Sequence, residues 1–149
     1  MKKFISLFGI LFLFGMSVTI AQSFVIKDHN GNELKNDTLY KVNVSIINQE
    51  TILDLKVYNK NTSSKELGLK KMYSDVVKCD SSTNYFCFAG LCFMSTTMVS
   101  PVTTTLNAGA TDSTFAAHYT YMEDIDCCSE IRYTFYDTLN VSDSVTIRV

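Results

Sequence analysis

Histidine is scarce in this chain of 149 residues, which contains only His29 and His118. A serine or cysteine nucleophile that depends on histidine would need one of these two residues. The motifs Gly-x-Ser-x-Gly and His-Glu-x-x-His and the glycine-rich phosphate loops are also absent. Paired carboxylates are the one catalytic arrangement left open, because their spacing is set in space and not along the chain. We therefore predict no catalytic residues, no cofactor and no enzyme activity.

Basic runs are lacking as well. The formal net charge is −2, and it becomes −4 (−2 minus 2) if Lys2 and Lys3 are removed with a signal peptide. A mildly acidic surface repels phosphate groups. We therefore expect neither nucleic acid nor an anionic membrane surface as a partner.

The one long hydrophobic run covers residues 4–20, after Lys2 and Lys3 and before Ala21. A basic start, an apolar centre and a small residue at the end are typical of a secretory signal. The run is short for a membrane-spanning helix, and no basic cluster follows it. We predict a signal peptide over residues 1–21 and an exported mature chain over residues 22–149 that does not span a membrane. The exported chain then folds in an oxidising compartment, where its cysteines can form disulfides.

A sustained helical period is missing from residues 22–149, where apolar and polar residues alternate instead. Alternating runs cover residues 40–46, 53–57, 115–121, 131–135 and 145–149, with shorter candidates at 24–27, 67–72, 85–88 and 102–106. Residues two apart share one face of a strand, so each run provides one apolar face. No repeat or linker divides the chain. We predict an all-β fold: one two-sheet antiparallel sandwich of about seven to nine strands.

Five cysteines occur in the chain. Cys87 and Cys92 are close in sequence, with Gly90 between them, and we predict a disulfide that staples a loop or the end of a hairpin. A bridge between the neighbours Cys127 and Cys128 would strain the peptide, so Cys79 is expected to pair with one of them; which one stays open. The odd thiol is either buried and inert or exposed and able to join two chains. We favour the inert thiol.

Thiol or metal chemistry is the alternative function. A redox-active pair of Cys87 and Cys92 needs a nearby cation or helix start to lower the thiol pKa, and no Cys-x-x-Cys motif is present. Met94, Met98 and His118 provide soft ligands of the kind that bind copper. Methionines that fill core gaps and a histidine on the outward face of a strand are the simpler interpretation. The alternative is therefore a thiol-redox or copper-handling periplasmic protein, while the favoured interpretation has no metal site.

An acidic segment contains Glu123, Asp124, Asp126 and Glu130. Calcium sites of the EF-hand type need a regular Asp-x-Asp-x-Asp-Gly run, which is missing here. We predict a solvated acidic loop.

Several phrases resemble one known family. They are Val57-Tyr-Asn59, Asn84-Tyr-Phe-Cys87 with Cys92, Leu106-Asn-Ala-Gly109, Phe115-Ala-Ala-His-Tyr119, Ile131-Arg-Tyr-Thr-Phe-Tyr-Asp137 and Asp143-Ser-Val-Thr-Ile147. In this order they resemble the small Ig-like β-sandwich modules of secreted Bacteroidota proteins, the type associated with type IX secretion cargo. This chain departs from them in having residues 122–129 in place of a Pro- and Gly-containing turn, and in lacking the sorting domain. The resemblance implies that the predicted sandwich is Ig-like, and that the protein is exported, either periplasmic or extracellular.

The resemblance also bears on modification. Asp37-Thr-Leu39, Asp137-Thr-Leu139 and Asp143-Ser-Val145 resemble the short O-glycosylation acceptor of exported Bacteroidota proteins. Chance is equally open, because the chain is rich in Asp, Ser and Thr.

We predict a non-catalytic binding module at the cell envelope or outside the cell, whose partner is a protein or a glycan. Sandwiches of this kind bind through end loops on a rigid frame, here residues 85–94 and 122–129. The contact residues would be Phe86, Phe88 and Phe93 in the first loop and Glu123, Asp124 and Asp126 in the second. For the three phenylalanines we favour the competing interpretation, which places them in the core.

Overall fold

The computed structural model describes residues 22–43, 50–74, 82–121 and 128–149. Within these ranges the chain forms thirteen β-strands. Their bounds are β1 Phe24–Lys27, β2 Glu33–Leu34, β3 Thr38–Leu39, β4 Glu50–Asp54, β5 Lys56–Asn59, β6 Lys65–Ser74, β7 Ser82–Phe88, β8 Leu91–Phe93, β9 Thr104–Leu106, β10 Thr111–Asp112, β11 Ala116–Tyr121, β12 Glu130–Asp137 and β13 Asn140–Arg148. None of the described ranges contains a helix long and apolar enough to cross a membrane.

The strands form three hydrogen-bonded sheets around one hydrophobic core. The sheet orders are β10-β5-β1-β2, β4-β11-β7-β8 and β3-β13-β12-β6-β9. Ring contacts between Phe86 and Tyr133 and between Phe88 and Phe135, both at 6.4 Å, join the second sheet to the five-stranded sheet. Buried residues of the first sheet, such as Phe24 and Val57, extend the same core. The protein is therefore an all-β sandwich, as the alternating pattern predicts, and Ig-like, as the resemblance implies.

One predicted strand is divided between two sheets. Residues 53–57 alternate as a single strand would, and Leu53, Leu55 and Val57 are all buried. However, β4 pairs with β11 in the second sheet, while β5 pairs with β1 and β10 in the first. Leu55 lies at the crossing between the two sheets. Alternation predicts the buried side of a run, but not the sheet to which each part of it bonds.

Most of the other predicted strands are confirmed within β1, β6, β7, β9, β11, β12 and β13. The predicted strand over residues 40–46 is not formed at residues 40–43, and residues 44–46 lie outside the described residues. The strand count exceeds the prediction because the short strands β2, β3, β8 and β10, of two or three residues each, are not among the predicted strands, and because residues 53–57 are divided between β4 and β5. The pairing of β3 with β13 is parallel, so the five-stranded sheet is mixed and not purely antiparallel.

The aromatic core corrects part of the predicted contact loop. Phe86 and Phe88 are fully buried, and Phe93 is half-buried and packs against the core. In β7, Phe86 and Phe88 share the inward face with the buried Asn84. Phe86 and Phe88 therefore lie in the core, as the favoured interpretation has it, and do not form an exposed contact patch, because the pleat of β7 directs them into the sandwich.

Candidate functional site

A tight hairpin turn positions the first cysteine pair. Ala89 and Gly90 connect β7 to β8 with φ angles of 52° and 79°. Two consecutive positive φ angles are the signature of a type I′ turn, whose twist suits an antiparallel hairpin. The hairpin places Cys87 directly opposite Cys92, and the two form the predicted disulfide. This prediction is confirmed.

The outward face of the second sheet holds His118 in a defined position. Its ring stacks on the Tyr85 ring with a centroid distance of 4.3 Å and an angle of 8°. His118 Nδ1 donates a hydrogen bond to Glu50 Oε1 over 3.0 Å, and the Tyr85 hydroxyl donates to the same oxygen over 2.8 Å. These hydrogen bonds, from Tyr85 first and then His118, lower the pKa of the Glu50 carboxyl. The imidazole is therefore held by a stacked ring and by a carboxylate.

The other ring nitrogen of His118 faces the disulfide. His118 Nε2 lies 3.5 Å from Cys87 Sγ. A carboxylate, an imidazole and a disulfide sulfur thus lie side by side on three neighbouring strands, β4, β11 and β7. Glu50 and His118 are 68 residues apart in the chain. Alternation predicts that His118 points outward, but nothing in the sequence specifies its register against β4 and β7.

A buried lysine lies on the inward face of the sandwich. Lys71 in β6 is 1% exposed, and its Nζ donates to the backbone oxygens of Asn84 over 2.9 Å and Ser95 over 2.8 Å. The ammonium also lies over the rings of Tyr73 at 5.2 Å and Phe86 at 5.6 Å. No carboxylate of the described residues lies within ion-pair distance of it. Burial lowers the pKa of Lys71 to about 8.

Sequence reasoning missed this lysine, although one signal was available. Leu67 and Leu69 are buried, and Lys71 continues their period of two along β6. A residue that continues a buried alternation faces the core whatever its charge. The alternation therefore predicts that the Lys71 side chain is buried if the strand extends as far as this residue.

We expect Lys71 to make stability rise as the pH increases from about 8. Burial lowers the pKa of Lys71 in the folded chain to about 8, while in the unfolded chain the lysine keeps its ordinary pKa of 10.5. Between these values the unfolded state binds more protons, so the free energy of unfolding rises with pH. After allowance for solvent screening we expect a gain of about 1–2 kcal/mol. Urea unfolding between about pH 7 and 10 measures it.

Two methionine variants control this measurement. Lys71→Met removes the titrating group, and its unfolding free energy should lack the rise. Lys70→Met changes the exposed neighbour on the same strand, and it should keep the rise. Equal pH profiles for Lys71→Met and wild type would show that Lys71 does not titrate in this range.

Asn84 connects the inward faces of three strands. Its Nδ2 donates to the backbone oxygen of His118 over 3.0 Å, and its Oδ1 accepts a hydrogen bond from the Tyr133 hydroxyl over 2.7 Å. The Tyr119 hydroxyl is buried nearby and has no hydrogen-bond partner within the described part of the chain. Burial raises the pKa of both Tyr119 and Tyr133. Most polar groups in this part of the interior therefore have hydrogen-bond partners, and its tyrosines are not ionised at neutral pH.

A methionine-rich segment is anchored on this interior. Residues 94–99 return from β8 to β6, where the backbone nitrogen of Lys71 donates to Met98 O over 2.6 Å and Val99 bridges to Lys70. Their exposed fractions are 77% for Met94, 40% for Met98 and 54% for Val99, and Met72 in β6 is 53% exposed. We use the name methionine surface for this set of four exposed side chains, of which Met72 and Val99 lie on the outward face of β6 and of its bridge partner. The prediction that Met94 and Met98 fill core gaps is wrong, since the segment attaches through its backbone and leaves these side chains in solvent.

Several predicted site residues cannot be placed. Cys79, Cys127, Glu123, Asp124 and Asp126 lie outside the described residues. Their predicted roles in disulfide pairing and contact stay predictions.

Two residues at the start of the last described range can be placed. Cys128 is a free, exposed cysteine, so the favoured buried, inert thiol is wrong for this residue. Glu130 is held by Arg148, whose Nε and Nη2 donate to its two oxygens over 2.8 and 2.9 Å, and by Arg132. These hydrogen bonds lower the pKa of Glu130 to about 2. Glu130 is therefore an ion-pair partner and not part of a solvated acidic loop.

A second ion cluster involves two of the predicted glycosylation acceptors. Lys65 Nζ lies 2.9 Å from Asp137 Oδ2 and 3.3 Å from Asp143 Oδ2, and both carboxylates are buried. Asp143 also accepts a hydrogen bond from the backbone nitrogen of Ser23 over 2.8 Å. These aspartates therefore have structural partners, whether or not the neighbouring Thr138 and Ser144 carry glycans.

No family model matches the sequence, and neither does any curated protein. Among solved structures, the N-terminal domain of PorA is similar at a TM-score of 0.59 and 14% identity, covering 84% of this chain and 92% of that chain. A FixG-related protein from Vibrio parahaemolyticus (TM-score 0.42, 14% identity, 67% and 74% coverage) also matches. So does PapD-like domain 7 of human CEP192 (0.38, 10%, 85% and 80%). At these identities the likeness to PorA shows the fold alone, and the other two likenesses carry no argument.

Proposed function

We propose that residues 22–149 form an exported, non-catalytic Ig-like interaction module of the secreted Bacteroidota type. It binds a protein partner at the cell envelope or outside the cell, and the methionine surface is the contact. The exposure of Met72, Met94, Met98 and Val99 around one anchored segment is the observation that carries this proposal. A fold by itself does not define a function, so the proposal depends on this surface.

The chemistry of the methionine surface favours a protein over a glycan. Single exposed apolar residues are normal on a protein surface. Here three of them, Met94, Met98 and Val99, occur within six residues, and Met72 lies on the neighbouring strand. Methionine adapts its shape to apolar partners, and its sulfur is only a weak hydrogen-bond acceptor. Sugar hydroxyls need stronger donors and acceptors than these side chains offer.

Two observations support the exported location. The Cys87–Cys92 disulfide is of the kind that persists in oxidising compartments. The Ig-like fold is compatible with a secreted binding module, and it does not favour a protein whose main function is copper handling or thiol-redox chemistry. The signal peptide over residues 1–21 and the O-glycans stay predictions.

A pair of surface variants tests the proposed contact. Met94→Ser combined with Val99→Ser removes two side chains of the methionine surface. Leu139→Ser combined with Val141→Ser is the matched control, because these residues are 89% and 69% exposed in the β12–β13 hairpin. Both double variants should keep stability within about 0.5 kcal/mol of wild type for each substitution. They differ in the surface that they change.

Quantitative crosslinking in an envelope fraction measures the effect. We expect one protein partner to be captured equally by wild type and the control, and about tenfold less by the Met94/Val99 variant, since apolar anchors dominate contact energies. Reduced capture by the Leu139/Val141 variant, or equal capture by wild type and both variants, would refute the methionine surface as the contact.

A further inference from the structure

The Cys87–Cys92 disulfide has an asymmetric environment. Cys92, at the edge of the second sheet, is exposed, while Cys87 is half-buried. Only Cys87 has the His118 imidazole beside its sulfur, at 3.5 Å. The two sulfurs therefore differ in access and in the charge that can form next to them.

We propose that this disulfide is a thiol–disulfide exchange site that accepts two electrons from a dithiol of a partner protein. Cys92 is the sulfur that is attacked, and Cys87 is the leaving thiolate, stabilised by His118. This inference is independent of the methionine surface.

The position of His118 supports this division of roles. Its ring is fixed by Tyr85 on one face, and its Nδ1 is committed to Glu50. Since Nδ1 donates to the carboxylate, Nε2 is the nitrogen that carries the second proton when the ring is protonated. A cation next to a thiolate lowers the thiol pKa. A leaving thiol with a lower pKa departs faster in exchange.

The exchange balances in two steps. A thiolate of the dithiol attacks Cys92 Sγ and forms a mixed disulfide, while the Cys92–Cys87 bond breaks and its electron pair goes to Cys87 Sγ. The new thiolate pairs with the protonated Nε2 of His118. The second thiolate of the dithiol then attacks the dithiol sulfur that is bonded to Cys92. The bond to Cys92 breaks, and the dithiol leaves as a disulfide. The dithiol loses two electrons and two protons, and the two cysteines become thiols.

The groups that face His118 define the charge around Cys87. On the outward face, β4 contributes Glu50, Ile52 and Asp54, and β7 contributes Thr83, Tyr85 and Cys87. Among these, the Glu50 carboxyl is kept ionised by its hydrogen bonds, and the hydrogen bond to Glu50 raises the pKa of the Tyr85 hydroxyl. His118 is the group whose ring nitrogen lies next to Cys87 Sγ. Its protonated ring should therefore speed the departure of the Cys87 thiolate.

Dithiothreitol reduction of the intact oxidised chain tests the site. Timed samples are alkylated, and peptide masses follow Cys87 and Cys92 separately from the other cysteines. We expect wild type to be reduced about tenfold faster than His118→Asn at the same pH and dithiothreitol concentration. Thr120→Asn, on the same face of β11, should match wild type.

A monothiol identifies the attacked sulfur. After brief treatment with 2-mercaptoethanol and alkylation, the mixed disulfide should be on Cys92 and the alkyl group on Cys87. If His118→Asn fails to fold, Glu50→Gln keeps the imidazole and should show an intermediate rate. Equal rates for wild type and the variant at every pH, or a mixed disulfide on Cys87, would overturn the proposal.

Discussion

Replacing Asn84 by alanine is expected to destabilise the protein by about 3–5 kcal/mol, because the change leaves buried polar groups without partners. The Tyr133 hydroxyl loses the Asn84 Oδ1 acceptor, and His118 O loses the Nδ2 donor. Both Asn84 and Tyr133 are almost completely buried, so water does not replace these partners. Guanidinium unfolding at neutral pH measures the loss.

A double-mutant cycle isolates the cause. Tyr133→Phe removes the hydroxyl and should by itself cost about 1 kcal/mol. In the combined Asn84→Ala and Tyr133→Phe variant no hydroxyl is stranded, so its cost should be at least about 1 kcal/mol below the sum of the single changes. Strict additivity would show that the hydrogen bond is not what Asn84 contributes.

Phe86→Ala is expected to cost about 3–5 kcal/mol, the range for removing a large aromatic side chain from a packed core. The Phe86 ring is fully buried and contacts the rings of Phe93 at 5.3 Å and Tyr133 at 6.4 Å. It also forms part of the aromatic surroundings of the Lys71 ammonium. The truncation therefore leaves a cavity and weakens the environment of the buried cation.

Phe93→Ala is the matched control, since Phe93 lies opposite Phe86 in the β7–β8 hairpin but is only half-buried. We expect it to cost about 1–2 kcal/mol. Unfolding midpoints compare the two variants directly. A Phe86→Ala variant that keeps its stability but loses partner binding would restore the interpretation of Phe86 as a contact residue.

These predictions separate the structural interior from the surfaces available for function. The interior contains Asn84, Tyr133, Phe86 and Lys71 in contact with one another. Replacing any of them should lower the free energy of unfolding. Met94, Val99 and Cys92 are exposed, so they can be changed or can react without removing a core contact. Function should therefore be lost at these positions while the fold persists.

Local pattern was sufficient for the fold class and for one disulfide. Alternation identified which side of residues 53–57 and 131–135 is buried, because side chains two apart share a face. The short spacing of Cys87 and Cys92 around Gly90 predicted a hairpin bridge that the structure contains. Both inferences involve residues within one strand or one turn, where chain geometry alone limits the outcome.

The sequence by itself thus determined an all-β sandwich and the faces that its strands bury. Only the tertiary structure decided that the chain changes sheets at Leu55, that the methionines lie outside, and that Lys71 points at Asn84 and Ser95. Only the tertiary structure brought Glu50, His118 and Cys87 next to one another on neighbouring strands. These arrangements depend on the register of strands that are distant in sequence, and that register follows from packing the whole core and not from any single run.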